Sequence, residues 1–146
     1  MALVAILEDD ERRRAAFLTY LEGHEVQLFN RAPRMLAWLK EHLSECTLIS
    51  LDNDLFLVDE GSEGASEDPG EGREVADWLG EQTPACPVLV HSSNHMAAYS
   101  IRNSLHFGGW EQARVTPFSD LDWVELSWAP KVRAILAGEF VPDPFE

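Results

Sequence analysis

Thr47-Leu48-Ile49-Ser50-Leu51-Asp52-Asn53-Asp54 turns from a mostly apolar run to an acidic one within a single residue. A short, continuous apolar run of this kind suits a strand covered on both faces. The same change recurs on either side of it. Leu3 to Leu7 is apolar throughout and ends at Glu8-Asp9-Asp10. Pro87-Val88-Leu89-Val90 ends at His91-Ser92-Ser93-Asn94. Glu25 to Phe29 alternates and reads as a more exposed strand. Trp110 to Val115 reads as the fifth, ending at Thr116-Pro117.

Helical patterns fill the intervals. Asp10 can cap a helix in which Leu18 and Leu21 repeat, and Gly23 lies where that helix should stop. Pro33 can open a second, with Leu36, Leu39 and Leu43 on one face. Arg73 to Glu81 turns Val75 and Leu79 inward. Asn94 can cap a fourth helix with Ala97, Ile101 and Leu105 as its apolar stripe. Asp120 to Gly138 reads as helical but broken at Pro130. Strands alternating with helices predict an α/β fold over residues 1–146, one domain with a parallel sheet covered on both faces. Residues 57–72, with six acids and no base, read as an inserted loop.

In such sheets the ligand site lies at the carboxyl ends of the strands. Glu8, Asp9, Asp10, Asp52 and Asp54 should therefore share one rim with His91, Ser92, Ser93 and Asn94. Neighbouring carboxylates repel unless a cation sits among them. Asp9, Asp10 and Asp52 are the expected metal ligands, and an all-oxygen set suits Mg²⁺ or Mn²⁺. Taken alone, Asp10 reads as a plain helix cap. Ser92, Ser93 and Asn94, with the free N–H groups of the following helix, can cradle a phosphate. Asp52, Asp54 and His91 are the catalytic candidates, with Asp54 or His91 as general acid or base. His91 also fits as a core-edge histidine bonded to backbone.

Composition narrows the ligand. Acids outnumber Lys and Arg 26 to 11, a formal charge of −15. That excludes a general nucleic-acid binder, which needs cations to displace phosphate counterions. No apolar run approaches the ~20 residues that span a bilayer, and a polybasic membrane anchor is equally absent. The apolar start lacks a basic leader, so the cytoplasm is the expected location. Cys46 and Cys86 are expected to be reduced thiols. Eleven of the 26 acids lie on the predicted rim or in residues 57–72, so a phosphate should enter with, or after, a divalent cation.

At these residues the chain resembles the response-regulator receiver domain, over nearly its whole length. Receivers carry paired acids after the first strand, here Asp9 and Asp10, and a phosphoacceptor aspartate after the third, here Asp52. A Ser or Thr follows the fourth, here Ser92, and a Lys-Pro pair the fifth, where this chain has Thr116-Pro117. Leu51-Asp52-Asn53-Asp54-Leu55 and Val90-His91-Ser92-Ser93-Asn94 are similar to the signatures of the cyclic-phosphate processing receiver family, with Asn53 standing where that family has histidine. Leu7-Glu8-Asp9-Asp10 followed by Arg12-Arg13 also fits. The resemblance implies a flavodoxin-like fold with strand order 2-1-3-4-5. It implies a metal-dependent phosphoesterase acting on cyclic or small phosphate compounds. The alternative is a phosphoacceptor, or a degenerate receiver, that signals through a protein partner.

Overall fold

The computed structural model describes residues 1–56 and 68–145. Most of the predicted acidic loop, residues 57–67, lies outside the described residues. Five parallel strands form one sheet in the order β2-β1-β3-β4-β5: β1 Leu3–Leu7, β2 Glu25–Phe29, β3 Leu48–Leu51, β4 Val88–Val90 and β5 Gln112–Arg114. The helices are α1 Glu11–Thr19, α2 Ala32–His42, α3 Gly72–Gly80, α4 His95–Phe107 and α5 Ala129–Leu136. The flavodoxin-like order implied by the resemblance is therefore the observed one. No helix among the described residues is long and apolar enough to cross a membrane.

The period-two alternation of side chains along a strand splits the core in two. Ala5, Leu7, Ile49, Leu51, Val88 and Val90 pack with residues of α2, α3 and α4, including Leu39, Leu79 and Ile101. Val4, Ile6, Leu48, Leu89 and Ala113 pack on the opposite face with Phe17, Trp123, Trp128 and Val132. Asp10 and Asn94 each cap a helix as the sequence suggests, accepting the backbone N–H of Arg13 and of Ala97 at 3.0 Å. Gly23, at φ +87°, takes the left-handed turn after α1.

Two elements differ from expectation. The fifth strand is shorter, Gln112–Arg114, with single hydrogen bonds to the fourth strand continuing at Glu111 and Val115, while Trp110 gives its indole N–H to the Leu79 carbonyl at 2.8 Å. The break at Pro130 is a π-helical turn over Val124–Trp128 leading into α5. Proline lacks an N–H and crowds the carbonyl four residues back. The widened turn instead lets the Ala129 N–H reach the Val124 carbonyl. Both cysteines are free thiols. Burial, with a smaller contribution from Glu45, pushes Cys46 up to about 11, and burial pushes Cys86 higher still.

Candidate functional site

The sheet register builds the site. Leu7 pairs with Leu51, and Leu51 with Val90. The Asp52 N–H bonds the Leu7 carbonyl at 3.0 Å, and the His91 N–H bonds the Leu51 carbonyl at 2.9 Å. The first residue past each central strand is therefore level with the next: Glu8, Asp52 and His91. Glu8 keeps the parity of Val4 and Ile6, and Asp52 that of Leu48 and Ser50. Glu8, Ser50, Asp52 and His91 thus turn toward the α1–α5 side, and all are buried.

One carboxylate oxygen each from Glu8, Asp9 and Asp52 lies within 4.8 Å of the others. Three acid oxygens at that spacing fit a hard divalent ion such as Mg²⁺ or Mn²⁺. Asp10, expected beside Asp9, points elsewhere, its side chain spent on capping α1. Glu8 takes the place beside Asp9. The parity of the first strand was the signal that would have identified it. The Asp9 carboxylate accepts the Phe56 N–H at 2.9 Å, and Asp52 accepts the Asn53 N–H at 2.8 Å.

Electrostatics single out Asp52. Burial first, then the charge on Glu8, pushes Asp52 up to about 8, only partly opposed by the Asn53 N–H and Arg13. Burial likewise raises Asp9, against the Phe56 N–H. Burial would also raise Glu8, but contact with His91, the Asp10 N–H and the Arg13 charge outweigh it and hold Glu8 well below the usual carboxylate range. Crowding of the three acids thus falls most heavily on Asp52, whose proton is held more tightly than an ordinary carboxyl's.

His91 stands behind this group and is 0% exposed. Its Nε2 lies 3.2 Å from Glu8 Oε1, though at an angle too poor for a hydrogen bond. Its Nδ1 is 2.7 Å from Ser50 Oγ, which accepts the Trp128 indole N–H at 3.1 Å. Ser50 thus links the Trp128 indole to the His91 ring, whose other nitrogen faces Glu8. Phe17 meets the ring edge-on at 5.1 Å and Trp123 stacks at 6.1 Å. Ser50, a hydroxyl inside an apolar strand, was a signal that the sequence reading left unused. Ser50→Ala strands the Trp128 N–H and His91 Nδ1 in the interior. A loss of about 2 kcal/mol is expected in urea unfolding, and a loss under about 0.5 kcal/mol would sink the relay.

The remaining predicted residues line the open side. The Asp54 carboxylate is exposed and lies within 3.0 Å of the Asn53 amide and 3.4 Å of the Asn94 amide. Ser92 is buried, its Oγ accepting the Asn94 N–H at 3.1 Å. Ser93 is exposed and borders a cleft of about 280 Å³ with Asp10, Arg12, Arg13 and Phe118. Asn53, where the family motif has histidine, anchors the start of α3. Its backbone carbonyl accepts the Gly72 N–H at 3.0 Å and its Oδ1 the Arg73 N–H at 3.1 Å. The substituted residue thus has a structural job here.

Comparison with known proteins agrees with this fold. The family model described as "Cyclic-phosphate processing Receiver domain" matches residues 4–107. No curated protein matches the chain. Among solved structures, the Mn²⁺-bound form of the response regulator Rcp1 is similar at TM-score 0.66 and 15% identity, covering 99% of this chain and 100% of that one. A CheY-like receiver domain protein from Methanospirillum hungatei JF-1 is similar at TM-score 0.59 and 15% identity, covering 94% and 98%. The signal receiver domain of a putative Luxo repressor protein from Vibrio parahaemolyticus is similar at TM-score 0.60 and 16% identity, covering 94% and 95%.

Proposed function

The chain belongs to the family of cyclic-phosphate processing receiver domains, and from that premise we propose that it is a metal-dependent phosphoesterase acting on small cyclic phosphates. The observation that carries this reading is the group Glu8, Asp9 and Asp52, whose oxygens lie within 4.8 Å of one another, with burial and the Glu8 charge pushing Asp52 upward. Among the described residues, three acids there face one cation, Arg13, and a divalent ion would supply the rest of the positive charge. The Mn²⁺ in the Rcp1 structure gives a precedent for such an ion on the same fold.

Glu8, Asp9 and Asp52 would hold Mg²⁺ or Mn²⁺, while Asp10 keeps α1 in place as its cap. A divalent ion at such a site polarises a phosphoryl oxygen and makes bound water more acidic. The other steps belong to the chain's own residues. Ser93 and the N-terminal N–H groups of α4 face the phosphate oxygens. Ser92 holds Asn94, which shapes that turn. Asp54, exposed and braced by two amides, accepts the proton of the attacking water. A water oxygen bonds phosphorus, one ring P–O bond breaks, and the proton taken by Asp54 passes to the departing oxygen, which leaves as a hydroxyl. His91 is sealed from substrate, so its part is to orient Glu8.

The test is a panel of nucleoside 2′,3′- and 3′,5′-cyclic monophosphates incubated with the chain and Mn²⁺, read as monoester by phosphorus NMR. Turnover of at least one member is expected, with loss in Asp52→Ala. No turnover of any member overturns the reading.

A further inference from the structure

The described residues offer one permanent cation to the acid group, and it comes from α1 rather than from the fifth strand. Arg13 Nη1 lies 3.4 Å from Glu8 Oε1 and 3.8 Å from Asp52 Oδ2. Its guanidinium rests on the face of Trp123, with Cζ 5.2 Å from the ring centroid. Trp123 is fully buried, and its indole N–H bonds the Asp120 carbonyl at 2.9 Å, so the platform is fixed. The Arg13 side chain is one-quarter exposed, and it lines the cleft that holds Ser93. It therefore faces both the acid group and the open space where a ligand enters. Two other arginines nearby are committed. Arg12 makes a two-pronged pair with Asp120 at 2.8 and 3.1 Å. Arg114 holds the Ser92 carbonyl at 2.9 Å and His95 at 2.7 Å. The chain's two lysines, Lys40 and Lys131, lie away from the strand ends.

Charge decides what Arg13 does. Glu8, Asp9 and Asp52 bring three formal negative charges to the site. A divalent ion cancels two of them. Without Arg13 the loaded pocket is a net anion, and it opposes a phosphate. With Arg13 it is neutral, and a planar two-pronged donor faces the ligand. Resting on the proposed metal-dependent phosphate pocket, we propose that Arg13 is a phosphate-contacting residue that sets specificity for anionic ligands, the position of the cation having passed from the fifth strand, where Thr116 stands, to the first helix.

The experiment titrates Mg²⁺ alone, then inorganic phosphate at saturating Mg²⁺, into the full chain and its Arg13→Met and Arg13→Lys variants by calorimetry. The wild-type chain is expected to bind both. Arg13→Met is expected to keep or tighten Mg²⁺ binding, since a neighbouring positive charge has gone, while phosphate binding weakens about tenfold. Retained Mg²⁺ binding shows that the variant is folded. A phosphate loss under about threefold in Arg13→Met overturns the proposal while leaving the phosphate pocket standing. Arg13→Lys keeps the charge but loses the fork, so it is expected to fall between the two. Should Arg13→Met fail to fold, phosphate affinity in Arg13→Lys equal to wild type overturns the proposal. If the wild-type chain binds Mg²⁺ but no phosphate, the phosphate pocket itself falls and the role of Arg13 falls with it.

Discussion

Raising the pH from 6 to 8 is expected to tighten Mn²⁺ binding about fiftyfold, near tenfold over the first pH unit and less over the second, and to change it little above that range. Asp52 carries the effect, because burial and the charge on Glu8 push it up to about 8. Below that value the ion must displace a proton, and above it the carboxylate is already ionised. Calorimetry in two buffers of different ionisation enthalpy should count about one proton released per ion near pH 7. Asp52→Asn removes both the ligand charge and the proton, so its weaker binding is expected to lose the slope. A pH-independent affinity in the wild-type chain would remove Asp52 from the ligand set. The same shift governs folding without metal. A raised carboxyl contributes stability that is full below its unfolded value near 4, and that is lost as the pH rises through its folded value. Glu8, held low, works in the opposite sense, contributing above its unfolded value and losing that contribution in acid.

Gly72→Ala is expected to cost about 3 kcal/mol in urea unfolding and to weaken metal binding at the same time. A Cβ at Gly72 would run into the Asp52 backbone carbonyl, with the Asn53 Cα close behind at 3.0 Å. The obstacle is backbone, so no side-chain rotation relieves it. The first turn of α3 would have to move, or the turn after β3 would, and that turn carries Asp52. Gly23→Ala is the control. That site has open space around it but a φ of +87°, so a cost of about 1 kcal/mol with unchanged metal affinity is expected. Equal effects on metal binding at the two glycines would contradict the close approach at Gly72.

The sheet was readable from Leu3–Leu7, Thr47–Leu51 and Pro87–Val90, because strands buried on both faces are short and apolar and end abruptly. The rule that ligands gather at strand ends then brought Asp9, Asp52 and His91 to one rim. The finer placement needed parity and rotation. Glu8 and Asp10 flank Asp9 equally in sequence, yet strand alternation sends Glu8 inward while Asp10 begins a helix. Arg12, Arg13 and Arg14 succeed one another at about 100° around a helix, so only the position of α1 on the sheet shows which of them reaches the acids. Pro130 announced a break without its form, since a kink, a stop and a π turn all remove the same clash. Ser50 was visible as a hydroxyl in an apolar strand, but its partner Trp128 is 78 residues away in the chain.

The sheet also sorts the five tryptophans. Trp38, Trp78 and Trp110 pack with the α2–α3–α4 core, whereas Trp123 and Trp128 lie on the other side. Trp128 donates to Ser50 and Trp123 carries the Arg13 guanidinium on its face. One indole therefore touches the Arg13 charge and a second reaches His91 through Ser50, while three lie beyond a layer of strands. The chain carries its own optical readout. Ultraviolet emission should report occupancy of the acid group from two chromophores over a steady background from three, without any label attached.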